Sequence, residues 1–147
     1  MSTSISMLDA MPNTAIVLIA HGSREEEANA DLRHLADELR RQGEYDSVIA
    51  AYLELASPTI EDAAATCIGH GARRLILLPH FLSAGVHIKR DLASIRDRLA
   101  ERFGEVDVRL ADPIGRHPLL LKILRERAKE ASHEATRIEH EPRINTD

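Results

Sequence analysis

The chain has 147 residues, is 44% hydrophobic and 29% charged, and carries a formal net charge of −5. That length suits one domain of roughly 100–150 residues with a continuous core, and the acidic balance argues against a general nucleic-acid binder. Aromatic residues are only 3% with no Trp, so the core must be aliphatic and stacking platforms for planar ligands are not expected. Cys67 stands alone, which excludes an intrachain disulfide and a four-thiolate iron–sulfur cluster within one chain.

Residues 1–14 read as a flexible leader. "MSTSISMLDAMPN" lacks the basic start and sustained apolar stretch of a signal peptide, so a cytoplasmic location is expected. No apolar run approaches the ~20 residues of a membrane span. "AIVLIA" (15–20) is a continuous apolar run rich in β-branched residues and predicts a strand buried on both faces. A helix with Ala28, Leu32, Leu35 and Leu39 on one stripe follows, then a strand in "VIAAYLEL" (48–55). In "SPTIEDAAATCIGHG", Ser57 is the expected N-cap and Pro58 the first helical residue. Ile60, Ala64, Cys67 and Ile68 share that helix's buried stripe, which makes Cys67 a packing residue and not a nucleophile.

"RLILLP" (74–79) predicts a third, apolar strand, and Ile88, Leu92, Ile95 and Leu99 mark the next helix. "VDVRLA" (106–111) alternates apolar and polar residues like an edge strand. A last helix starts near Pro118 and uses Leu121, Leu124 and Ala128; residues 132–147 read as a mobile polar tail. The order βαβαβαβα predicts an α/β fold: a three-layer, doubly wound, parallel four-stranded sheet with order 2-1-3-4, in one domain over 15–131.

Parallel sheets of this kind bind ligands beyond the carboxyl ends of their strands, at the topological switch. "HGSR" (21–24), Glu54, "HFLSAGVHIKR" (80–90) and "DPIGRH" (112–117) all reach that rim, whereas Arg73 and Arg74 lie at the opposite edge. His21, His80, His87 and Glu54 therefore gather on one edge. Imidazoles and a carboxylate suit a borderline divalent ion such as cobalt, nickel, iron or zinc, and not calcium or magnesium. His34, His70, His133 and His140 read as structural or solvated groups, and His117 as the opening of the last helix. "HGSR" also offers Ser23 and Arg24 to an anion at a helix N-terminus. It is neither a Walker loop nor GxGxxG, so no nucleotide is expected.

With these residues in place, the chain resembles the short class II tetrapyrrole chelatases, the sirohydrochlorin cobaltochelatase and ferrochelatase family. "AHGSR", "YLELASPTIEDA" and "LPHFLSAGVHIKRDL", in this order, carry the match across residues 15–130. The resemblance implies that His21 and His87 are metal-binding and catalytic, that Glu54 is the catalytic acidic residue, and that His80 is an auxiliary ligand. It further implies a sirohydrochlorin-like tetrapyrrole and a divalent metal as substrates, and a half-size chain that completes its cleft as a homodimer.

Metal insertion into such a ring needs a loosely held ion and loss of two pyrrole protons, which neutral imidazoles and a carboxylate supply. Arg24, Lys89, Arg90 and Arg116 can orient the substrate's carboxylates. Ser83, Ala84 and Gly85 are small enough for a flat ring to approach the backbone. The expected activity is ATP-independent insertion of Co2+, with no nucleotide and no iron–sulfur cluster, for cobalamin or siroheme biosynthesis. Insertion of Fe2+ or Ni2+ by the same site, a metal-delivery module and a small-anion binder are the competing readings.

Overall fold

The computed structural model describes residues 11–139, in the order β1 (Met11–Ala20), α1 (Glu26–Arg41), β2 (Tyr45–Tyr52), α2 (Ile60–Gly69), β3 (Arg74–Pro79), α3 (Val86–Arg102), β4 (Asp107–Leu110) and α4 (Pro118–Glu139). The strands form one four-stranded sheet in the order β2-β1-β3-β4, and every pairing is parallel. This is the predicted doubly wound α/β arrangement. The pairing of β1 with both β2 and β3 creates the switch point beside β1.

Alternation along β1 explains how its continuous apolar run is used. Ala15, Val17 and Ile19 point into a cluster with Ile60, Ala64 and Cys67 of α2 and with Leu92, Ile95 and Leu99 of α3. Ile16 and Leu18 point the other way, against Leu32 and Ala36 of α1 and Val48 and Ala50 of β2. A side chain of this size contributes about 1.5–3 kcal/mol when fully buried, so both faces of the central strand hold a helix layer in place. Cys67 is fully buried, and burial pushes its thiol pKa up, which makes the thiolate harder to form and fits its packing role.

Several boundaries differ from the sequence expectation. β1 begins at Met11 and not at residue 15: the Asn13 N–H donates to Asp46 Oδ2 at 2.7 Å, and its carbonyl accepts from the Arg73 N–H at 2.7 Å. The buried residues of α1 are Asn29, Leu32 and Ala36, while Ala28 is exposed and Leu35 is 42% exposed. The expected stripe is therefore rotated by the burial of a polar residue. α2 is capped by Thr59, whose side chain accepts from the Asp62 N–H, and not by Ser57. Pro58 stays outside the helix because its carbonyl accepts from the Tyr52 N–H at 3.0 Å, which pins that segment beside the end of β2.

The chain divides into two compact units between Pro113 and Ile114. In the second unit, the His117 N–H donates to the Ile114 carbonyl and His117 Nδ1 accepts from the Leu119 N–H at 3.2 Å. His117 thus opens α4, as expected. This helix continues through Glu139, past the expected domain boundary at residue 131. Leu119, Leu121, Ile123 and Leu124 are exposed. The leader expected over 1–14 falls outside the described residues through residue 10, and the expected tail does so from residue 140. No helix among the described residues is long and apolar enough to cross a membrane.

Candidate active site

His21 is the first residue after β1, and Glu54 follows β2 by a short bend. The backbones of these two segments remain zipped beyond the strands: the Leu53 N–H donates to the Ala20 carbonyl at 3.1 Å and the Glu54 N–H to the His21 carbonyl at 3.0 Å. Gly22 makes that approach possible. Its φ is +101°, and a Cβ there would stand 1.7 Å from the Glu54 carbonyl oxygen. Only glycine meets both demands.

This scaffold sets His21 Nε2 2.7 Å from Glu54 Oε1. Both side chains are more than half exposed, at 54% and 57%, so solvent and substrate can reach them. Against an ionised carboxylate, which only accepts, Nε2–H is the donor; in the neutral form of the ring that tautomer leaves the Nδ1 lone pair for a metal. A carboxylate behind one ring nitrogen is the usual support for a metal-binding histidine. The pair lines a cavity of about 360 Å³ together with Leu53, Ile88, Asp91, Ser94, Ile95 and Arg98. Arg98 Nη2 donates to Glu61 Oε1 at 2.9 Å, tying α3 to α2 at the cavity wall.

The HGSR segment is held from within. The Ser23 N–H donates to Asn29 Oδ1 at 3.1 Å, Asn29 Nδ2 donates to the Ser23 carbonyl at 2.7 Å, and Ser23 Oγ accepts from the Glu25 N–H at 3.0 Å. Tyr52 OH completes the network by donating to the Asn29 carbonyl at 2.6 Å. Ser23 therefore shapes the loop through its backbone N–H, its carbonyl and one lone pair of Oγ, while its hydroxyl hydrogen is left to donate. Arg24 is exposed and makes no ion pair among the described residues, as do Lys89 and Arg90. Arg116 belongs to the second unit, where it adopts a φ of 68°.

His80 follows β3 with its N–H donating to the Ile19 carbonyl at 2.7 Å, and its side chain is exposed. His87 lies in the first turn of α3, not in the loop before it. Ser83 and Gly85 in that loop are exposed and Ala84 is half-buried; a Cβ on Gly85, the N-cap of α3, would meet nothing within 4 Å. Among the described residues, no group of three or more His, Cys, Asp or Glu side chains is gathered closely enough to hold a metal ion. The structure thus joins His21 to Glu54 but does not bring His80 and His87 with them into the ligand set expected from sequence. The helix backbone fixes where His87 starts, and the end of β3 fixes His80.

A second cavity, of about 460 Å³, lies at the opposite edge of the sheet beside Arg73, Arg102, Phe103 and Glu105. The smaller cavity is the better candidate because it holds the histidine–carboxylate pair at the carboxyl ends of the strands. Of the remaining histidines, His34 pairs with Glu38 along α1 at 4.0 Å, His70 caps α2, His133 is exposed on α4, and His140 lies outside the described residues.

The CbiX family model matches residues 15–131. The chain belongs to the CbiX family. Its CbiX relatives include the chloroplastic sirohydrochlorin ferrochelatase of Arabidopsis thaliana, 34% identical over 76% of this chain and 50% of that protein. The sirohydrochlorin cobaltochelatase of Sulfolobus acidocaldarius is 31% identical over 79% of this chain and 90% of its own length. This CbiX chain spans about half the length of the plant enzyme and 42% of the Priestia megaterium cobaltochelatase. Among solved structures, a CbiX protein from Marinobacter aquaeolei superposes with a TM-score of 0.73 at 31% identity, covering 82% of this chain and 98% of that one. The sirohydrochlorin chelatase SirB from Bacillus subtilis subspecies spizizenii, in complex with cobalt, superposes with the same TM-score of 0.73 at 26% identity, covering 80% of this chain and 50% of that one.

The sequence reading missed Asn29 and Tyr52, which brace the HGSR loop, and Asp91, Ser94 and Arg98, which line the cavity. A usable signal was present for the last three. They follow His87 at helical steps, on the stripe adjoining the buried Leu92, Ile95 and Leu99.

Proposed function

We propose that this chain inserts Co2+ into sirohydrochlorin without ATP, serving cobalamin or siroheme biosynthesis from the cytoplasm, with Fe2+ or Ni2+ as competing substrates of the same site. The observation that carries the reading is the His21–Glu54 pair at 2.7 Å, lining a cavity at the switch point of a CbiX sheet. Relatives that this chain matches over nearly their whole length bear the cobaltochelatase name, which favours cobalt.

In this reading His21 offers Nδ1 to the incoming ion while Glu54 holds the other ring nitrogen. His87 and His80 complete the ligand set as the metal arrives. Few fixed ligands leave coordination positions open for the ring nitrogens, and a loosely held ion is one that can be handed over. Glu54 then accepts a pyrrole proton. Arg24, Lys89 and Arg90 orient the ring's carboxylates, aided by the absence of ion-pair partners for them among the described residues. Ser83, Ala84 and Gly85 leave room for its flat face. Two copies facing each other would enclose a ring that one shallow rim leaves open.

Anaerobic incubation with sirohydrochlorin and each metal, followed by absorbance, tests the activity. Accelerated insertion, fastest with Co2+, is expected. Metal binding without acceleration would instead assign a delivery module. His21→Ala and His87→Ala should each lower Co2+ affinity and remove most turnover at an unchanged unfolding midpoint, whereas Glu54→Gln should lose more rate than affinity. Wild-type affinity and rate in His87→Ala would remove His87 from the site.

A further inference from the structure

Inserting a divalent ion into a tetrapyrrole displaces two N–H protons, and the mechanism above names one acceptor. Glu54 is already engaged with His21 through Oε1. A second carboxylate lines the same cavity: Asp91, from the second turn of α3. It is exposed and has no hydrogen-bond or ion-pair partner among the described residues. The cation lining that cavity, Arg98, is paired with Glu61 at 2.9 Å and not with Asp91.

Asp91 does not serve the N-terminus of its helix. A carboxylate stabilises a helix in its first turn, where it meets the partial positive charge, but the first turn of α3 contains no acidic residue. Leu92, Ile95 and Leu99 anchor α3 on the sheet, and the adjoining stripe of Asp91, Ser94 and Arg98 is thereby turned into the cavity.

We propose that Asp91 is the second proton-accepting carboxylate of the site, a role that rests on the chelatase reading. At each of two pyrrole nitrogens the N–H bond breaks, its electron pair stays on nitrogen and becomes the metal–nitrogen bond. One proton passes to a Glu54 oxygen and the other to an Asp91 oxygen. The metal keeps its oxidation state, and both carboxylic acids return their protons to the solvent that reaches their exposed side chains.

The test compares wild type with Asp91→Asn and Asp91→Glu in anaerobic insertion kinetics, calorimetry with Co2+ alone and urea unfolding. In Asp91→Asn, Co2+ affinity, KM and unfolding midpoint should stay within about twofold of wild type while kcat falls about 100-fold, the lower range for a lost general base. Asp91→Glu should recover a large part of that loss. An unchanged kcat in Asp91→Asn, or a loss confined to KM or Co2+ affinity, would overturn the role of Asp91 and leave the chelatase reading intact. A wild-type chain that accelerates no insertion would overturn both.

Discussion

Gly22 concentrates the residue-scale argument. Its positive φ and the 1.7 Å separation between a built Cβ and the Glu54 carbonyl oxygen mean that any side chain must push the His21 and Glu54 segments apart. Gly22→Ala is expected to cost about 2 kcal/mol or more, measured as a lower urea midpoint, and to reduce the proposed insertion far more than a surface substitution does. Tyr52 acts on the same loop from beneath. It is 1% exposed, and its hydroxyl donates to the Asn29 carbonyl at 2.6 Å. Tyr52→Phe should cost about 0.5–1.5 kcal/mol through that lost bond, with the fold retained by circular dichroism.

At the scale of the element, α2 and β4 show how local chemistry sets boundaries. The Thr59 side chain accepts from the Asp62 N–H at 3.2 Å, so Thr59→Ala should destabilise by about 1 kcal/mol in equilibrium unfolding, while Ser57→Ala should have little effect. On β4, hydrogen bonds from Arg109 and then Arg74 hold the Asp107 carboxyl below the usual carboxylate range. A lowered folded-state pKa stabilises above the unfolded value and loses that contribution as pH falls through the folded value. Stability should therefore decline on acidification below about pH 4, less steeply in Asp107→Asn, when urea midpoints are compared across pH. The effect should be small and weakened by salt, because these groups lie at the surface.

At the scale of the whole molecule, the two faces of β1 bind three helices of the first unit to one sheet, and the loops that leave its carboxyl edge acquire a common rim. Leu77 is fully buried in the cluster shared by α2 and α3. Leu77→Ala should cost about 2–5 kcal/mol, seen as a lower thermal midpoint, and should depress activity in proportion to the folded fraction. The proposed pairing of two copies belongs to this scale as well. Sedimentation at micromolar concentration should give a dimer; fully active monomer alone would remove that proposal.

The alternation of apolar runs and helical stripes was enough to determine strand number, direction and order, because a short two-face apolar run has few stable uses other than a central parallel strand. His21 and Glu54 were legible for the same reason: each follows a recognisable strand, and neighbouring parallel strands deliver their ends to one edge. The burial of Asn29 was not legible, since its side chain is satisfied by the Ser23 backbone only once the loop folds back on α1, with Tyr52 holding the Asn29 carbonyl from β2. The cap at Thr59 and the early start of β1 depended likewise on bonds to Asp62 and to Asp46 and Arg73, which spacing alone does not encode. Which rim residues meet was also a tertiary matter. The sequence alone put His21, His80, His87 and Glu54 at one edge of the sheet. Only the path of the backbone after each strand decided that His21 meets Glu54, that His87 begins a helix, and that Asp91 reaches the cavity beside them.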